Sequence, residues 1–374
     1  MKLARYVLLF DPIPFHGGSK VATTAALNLV SNQLPIEVLS SHLNSWQDLN
    51  CQDSAMLRTP ELLLAQTKGL GYWFKQLYFC MAIGWLMFRL LLVRASIPSQ
   101  IVVASGPGVD LAAYLVAHLF NIKLIQIIHG PIAKSRSSHW CLNQGHTTFY
   151  LPSAKASIQF CLDAEVLKQN FVPFINGLSK WPKPQIENSL PISVFWAASL
   201  LKWKGLDLLT EAMQTQGLNH CLHANVCYIK PQQTKAEQCQ IDRDIKHIHW
   251  HENPQDLDQI RATSHVYVST SVNEPFGLST LEALACGLIV VIPRDGAYWD
   301  RILVEGQHCL KYEPNNAQSL HSVLRMVLHR KECFWHLGMS GQAIARQYTA
   351  EKAYQEIAQS LLASQPIASL AKQD

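Results

Sequence analysis

Short apolar runs alternate along the chain with longer segments whose apolar residues recur every three or four positions. The runs 6–10, 36–39, 101–104 and 124–128 read as buried strands, and the stretches 19–31, 71–93 and 109–119 as helices. Strand, helix, strand in that order predicts right-handed crossovers and a parallel sheet covered on both faces. Residues 176–191, "NGLSKWPKPQIENSLP", concentrate Pro, Asn and Gly and mark a linker. Beyond it the alternation resumes, with strands at 192–197, 224–228, 245–250, 266–270 and 288–293 and helices at 206–213 and 254–261. Two helices, 317–328 and 349–363, close the chain. The expected class is α/β: two doubly wound, Rossmann-like domains facing across a cleft, residues 1–178 and 179–345, with ligands at the carboxyl ends of the strands. Residues 346–374 form a C-terminal helix expected to pack back on the first domain.

Composition narrows the function classes. With 48% hydrophobic and 16% charged residues in 374, the chain has material for two cores and excludes a disordered protein. The net charge of +4 is modest, and residues 1–178 hold 13 Lys and Arg against 8 Asp and Glu. No basic run is dense enough to indicate nucleic acid. Ten cysteines lack any C-x-x-C pair, which fits buried thiols in a reducing cytoplasm better than zinc or disulfides. The N-terminal apolar run is too short for a signal peptide and reads as a first strand. In 74–96, Lys75, Arg89 and Arg94 leave an uncharged centre of about 13 residues, short of the ~20 of a membrane span. As a helix it either is buried beside the sheet or lies against a bilayer surface.

The stretch "NEPFGLSTLEALACG", 273–287, carries the most chemistry. Pro275 and Gly277 resist helix, the residues after them propagate one, and Gly287 stops it. The turn therefore aims backbone N–H groups and the positive end of a helix dipole outward, which suits a phosphate or diphosphate. Ser279 with Glu282 fits a capping box, in which Glu282 would only satisfy a backbone donor. Glu274 has no such explanation, and sugar hydroxyls are natural partners for it. In the first half, Gly17 and Gly18 lie between a strand and a helix, flanked by His16 and Lys20. His129 ends a strand, and Ser105–Gly108 form another glycine-bearing turn. His247, His249 and His251 alternate along one strand, a row rather than a metal-centring cluster. No metal-binding D-x-D pair is found, "DRD" at 242–244 reading as a surface turn, and no G-x-G-x-x-G follows strand one, which argues against a nicotinamide-dependent reductase.

"EPFGLSTLEALACG" resembles the E-x7-E signature of retaining GT-B glycosyltransferases of the family 4 type. The resemblance extends in order to "HGGSKVATTAALNLV", "IIHG", "NG" and "SLLKWKGLDLLTEAM", and so spans most of the chain. It implies that Glu274 holds the donor sugar's hydroxyls and Glu282 the ribose. The amides of Phe276, Gly277 and Leu278 would meet the sugar and distal phosphate, Lys204 the diphosphate, and His129 the sugar near the reaction centre. Gly17 and Gly18 would approach the donor phosphates. Ser199 stands where the family often has an arginine, with Lys202 as a possible substitute cation. "HIHWHEN" stands where a glycine near the base is common. The implied reaction moves a sugar from a nucleoside-diphosphate-sugar to a hydroxyl with retention and without a metal ion or other cofactor. The expected acceptor is a glycan or lipid-linked glycan of surface polysaccharide synthesis. The enzyme would then be cytoplasmic, with peripheral contact to the inner face of the membrane. A GT-B epimerase or hydrolase and a non-catalytic nucleotide-sugar-binding protein are the other readings.

Overall fold

The computed structural model describes residues 5–64, 66–182, 192–215, 222–231 and 236–363. Most of the proline-rich linker, 183–191, lies outside them. The chain divides into two compact units, Met1–Gly177 with Ala350–Asp374, and Leu178–Thr349.

The first unit is built on seven parallel strands: β1 Val7–Asp11, β2 Ile36–Ser40, β3 Asp53–Met56, β4 Gln100–Val103, β5 Lys123–Ile128, β6 Thr147–Tyr150 and β7 Phe171–Pro173, in the order β3-β2-β1-β4-β5-β6-β7. Strands β1, β2 and β4 are buried at every position, which is why none alternates apolar with exposed polar residues, the one acid within β2, Glu37, being buried in a pair with Arg94. Helices α1 Gly18–Asn28, α2 Glu61–Leu64, α3 Gly69–Arg94, α4 Leu111–Leu119, α5 Arg136–Leu142 and α6 Lys155–Leu162 connect them. The segment expected either to be buried beside the sheet or to lie against a bilayer is buried on one side only. One face of α3 joins the core through Phe79, Ile83, Leu86, Met87 and Leu90, and the other is exposed.

The second unit has six parallel strands: β8 Ile192–Ser199, β9 Leu222–Ile229, β10 Ile248–Glu252, β11 Val266–Val268, β12 Ile289–Pro293 and β13 Leu310–Tyr312, ordered β10-β9-β8-β11-β12-β13. Its helices are α7 Leu206–Gln214, α8 Leu257–Ala262, α9 Leu278–Cys286, α10 Tyr298–Ile302, α11 Ala317–Arg330 and α12 Trp335–Ala345. Helix α12 was not expected. Two of its glycines let it press on α9: a Cβ at Gly338 would lie 2.2 Å from the Gly287 carbonyl oxygen, and one at Gly341 2.8 Å from Leu284 Cδ2. The expected helix 349–363 is two pieces, α13 Ala350–Ala353 and α14 Gln355–Leu362, interrupted at Tyr354. In α14 the Ser360 carbonyl accepts from Gln100 Nε2 and Lys123 Nζ, and the Tyr354 hydroxyl accepts from the Gly177 amide at 3.0 Å.

Candidate functional site

In the second unit the residues of interest collect where β8 and β11 end. Past β8, the chain makes a short turn over Lys202–Lys204 and then enters α7 through Gly205. Gly205 has φ +70°, and a Cβ there would lie 2.3 Å from the Thr270 carbonyl oxygen, so the position admits glycine alone. Thr270, just beyond β11, donates its hydroxyl to the Lys204 carbonyl at 2.7 Å and accepts from Trp196 Nε1 at 2.8 Å. These contacts tie the lysine turn to the loop that carries Glu274. Lys204 Nζ and Glu274 Oε2 meet at 2.5 Å, both side chains less than one-fifth exposed. The same ammonium stands 4.0 Å from the centroid of the Trp203 ring.

The loop from β11 to α9 is pinned at both ends. Asp295 accepts from the amides of Asn273 and Ala297, each at 2.9 Å. Gly277 caps α9 in the left-handed region, φ +81°, and a Cβ would stand 3.2 to 3.3 Å from Glu274, Thr280 and Trp299. Its carbonyl accepts from the amides of Thr280 and Leu281 and from Trp299 Nε1 at 3.0 Å. Leu278 and Ser279 precede any intrahelical acceptor, so their N–H groups face outward at the positive helix end. The Phe276 ring is buried against Tyr298, Trp299 and Tyr348, leaving its main chain as the part able to meet a ligand.

Glu282 is not part of a capping box. The cap is Gly277, two residues before Ser279, and the Glu282 carboxylate instead meets Arg261 of α8 at 2.5 Å. Arg261 is 2% exposed and also pairs with Asp258 at 2.6 Å. Burial raises the Glu282 pKa and the guanidinium opposes that rise. Ser199 closes β8 and pairs in register with Ile229. Lys202, the expected substitute cation, is held at 2.5 Å by Asp207 on the exposed side of the turn. The three histidines have separate surroundings: His247 Nε2 contacts the Met213 carbonyl, His251 Nε2 contacts Asn225, and the His249 ring lies beside His223.

In the first unit, a pocket of about 260 Å³ opens at the carboxyl ends of β1, β4 and β5, with Gly17, Lys20 and His129 in its lining. Gly17 caps α1 in extended backbone, its carbonyl accepting from the Lys20 and Val21 amides, and Gly18 is the first helical residue. Lys20, which flanks the glycine turn, is already engaged. It is buried, pairs with Asp11 at 2.8 Å and donates to the Ile13 carbonyl at 2.7 Å. Burial lowers its pKa while Asp11 opposes. His16 is also lowered by burial, reinforced by Lys20. The amides of Ser105 and Gly106, in the other glycine-bearing turn, both donate to Asp110 Oδ2, at 3.0 and 2.9 Å. Asp110 is fully buried and pushed up to about 8 by that burial.

His129 is neutral, its pKa lowered to about 4 by burial. Its tautomer follows from the bonds around Thr23. The Thr23 hydroxyl donates to the Ser19 carbonyl at 2.8 Å, so at its 3.0 Å contact with His129 Nε2 the hydroxyl oxygen accepts. Nε2 therefore carries the proton. Nδ1 keeps its lone pair and has no partner among the described residues.

Two parallel-sheet units of this kind, each with its glycine-bearing turns at the carboxyl strand ends, define the GT-B architecture. The Anabaena protein HepE in complex with UDP-glucose is similar with a TM-score of 0.70 at 15% identity, over 96% of this chain and 99% of that chain. A glycosyltransferase from Rickettsia africae gives 0.69 at 14% identity, covering 96% and 100%. Sucrose-phosphate synthase from Thermosynechococcus elongatus gives 0.69 at 13%, covering 95% and 98%. At these identities the likeness establishes the fold. Residues 179–342, most of the second unit, match the family model "Glycosyl transferases group 1". No curated protein shows significant similarity to the sequence.

Proposed function

We propose that this protein is a retaining glycosyltransferase of the family 4 type, moving a sugar from a nucleoside diphosphate to a hydroxyl of a glycan or lipid-linked glycan at the cytoplasmic face of a membrane. The observation that carries the reading is the Lys204–Glu274 contact beside the outward amides of α9. A carboxylate and an ammonium held together at a helix start supply acceptors for sugar hydroxyls and positive charge for a diphosphate within one small volume. The group 1 glycosyltransferase match over this unit supports it, and the UDP-glucose complex of HepE makes UDP the first nucleotide to try.

In this mechanism the donor exchanges the internal pair for its own groups. Lys204 Nζ turns from Glu274 to a phosphate oxygen, and Glu274 accepts from sugar hydroxyls. Negative charge grows on the diphosphate as the glycosidic bond breaks, and Lys204 with the Leu278 and Ser279 amides stabilises it, so the step needs no metal ion. The acceptor hydroxyl attacks from the face the leaving group departs, its proton passing to the leaving phosphate, which gives retention.

A thermal-shift comparison of UDP, GDP, ADP and dTDP identifies the base, because a ligand of the native state raises the melting temperature. Glu274→Gln is expected to keep nucleotide binding and lose transfer by about a hundredfold or more. Lys204→Ala is expected to weaken nucleotide binding about tenfold or more. Nucleotide binding indifferent to Lys204, or donor consumed as fast without acceptor as with it, rules the reading out, the second outcome pointing to hydrolysis or epimerisation.

A further inference from the structure

The exposed side of α3 stands outside the site described above. Residues along a helix advance by about 100° each, and on that repeat Trp73, Phe74, Leu77, Met81, Trp85 and Phe88 fall on one arc, with Leu70 and Leu92 continuing it at the ends. Each of the six is more than half exposed. The opposite arc, with Gln76, Phe79, Ile83, Leu86, Met87 and Leu90, is buried in the first unit. The helix is long and apolar enough to cross a membrane, yet its inner face is part of the core. It is therefore anchored in the fold, with a stripe of aromatic and aliphatic side chains turned outward. Apolar stripes of this extent are rare on surfaces that face only water.

Charge at the margins selects the occupant. Helix α3 contains no acidic residue. Arg89 lies on one flank, in an exposed pair with Asp53 at 3.0 Å. The Tyr78 hydroxyl donates to the Arg58 carbonyl, fixing the Arg58 segment beside the same flank. Among the described residues, Arg58, Lys68 and Lys75 have no carboxylate partner. The acids of this region are Asp53 and Glu37, paired with Arg89 and Arg94, and Glu61. A second copy packed antiparallel on the stripe would set Lys75 of one chain near Arg89 of the other, cation against cation. A surface with an apolar interior and anionic head groups matches both features, since aromatic residues partition into the interface while lysine and arginine reach the phosphates.

We propose that the outer face of α3 is a docking surface for an anionic lipid bilayer, lying in the membrane plane rather than crossing it. The proposal rests on the geometry of the first unit and is independent of the transfer reaction. The test is flotation of the full-length protein with vesicles of phosphatidylcholine and phosphatidylglycerol. The wild type is expected to float, with its tryptophan fluorescence quenched by acyl chains brominated near the head group. The double variant Trp85→Ser, Phe88→Ser, at two exposed positions, is expected to lose vesicle partitioning by about a hundredfold, with its unfolding midpoint and its nucleotide thermal shift unchanged. Wild-type protein left behind by anionic vesicles overturns the proposal, as does a double variant that floats like the wild type. Concentration-dependent dimerisation abolished by the same substitutions also overturns it and assigns the stripe to a second copy. Nucleotide binding, read separately, keeps a failure here distinct from a failure of the transferase reading.

Discussion

Gly205 sits where the second unit's site is assembled, and replacing it by alanine should be costly for two separable reasons. Its φ of +70° is left-handed, which costs an L-residue roughly 1–2 kcal/mol. The added Cβ would also lie 2.3 Å from the Thr270 carbonyl oxygen, a backbone atom with little room to retreat. Overpacking of that kind adds about 1–3 kcal/mol, for a total of roughly 2–5 kcal/mol. Gly306 supplies the control, since its φ is +75° but a Cβ there meets nothing within 4 Å. Gly306→Ala should therefore lose only the conformational part. Urea titration of both variants measures the difference, and nucleoside diphosphate affinity of Gly205→Ala reports whether Lys204 has moved with the turn. Equal losses for the two alanines would refute the steric argument, and a Gly205→Ala protein within about 0.5 kcal/mol of wild type would refute the placement itself.

Two further predictions concern buried charge. Glu282→Gln leaves Arg261 with Asp258 alone as an ion-pair partner, and that carboxylate is 78% exposed. A loss of about 1–3 kcal/mol in urea is expected, and an unchanged unfolding free energy would show that the pair contributes nothing. Asp110 has a folded-state pKa raised by burial to about 8, from 3.8. The native protein then holds a proton that the unfolded chain releases above its own pKa, so this group's contribution is fully present at low pH and is lost as pH rises towards the folded value. The slope approaches about 1.4 kcal/mol per pH unit for one proton. Asp110→Asn removes it, so variant and wild-type stabilities should diverge in the variant's favour between about pH 5 and about pH 7. Parallel profiles would mean that the carboxylate ionises in the fold.

Burial decided how much of the fold was legible in the sequence. Strands β1, β2, β5 and β12 are enclosed on both faces and stand out as apolar runs. Strand β3, "DSAM", is exposed at three of its four positions and carries no such run, because an edge strand is held by backbone pairing with β2. Helix α12 was hidden by composition of another kind. Gly338 and Gly341 weaken helix propensity, but at these positions any larger side chain would push α12 off α9. Tertiary contact outweighs local preference there, and no window of the sequence contains the contact.

The candidate site divides along the same line. The spacing of Glu274, Gly277 and Glu282 around one helix start is local information, and it marked the place. The partners are not local: Thr270 reaches the Lys204 carbonyl, Arg261 reaches Glu282 from α8, and Trp299 reaches the Gly277 carbonyl from α10. Residue types alone do not show which polar groups remain available. Lys20 and the amides of Ser105 and Gly106 have the chemistry of an anion site, yet Asp11 and Asp110 use them inside the first unit. Buried carboxylates need donors, and a strand-end turn is the nearest supply. The pocket of the first unit is consequently left with a neutral imidazole whose Nδ1 is buried, whereas in the second unit a cation and a carboxylate, paired with each other and partly exposed, stand beside the first amides of α9. That contrast, rather than the count of glycine-bearing turns, is the physical reason to look for diphosphate chemistry at Lys204.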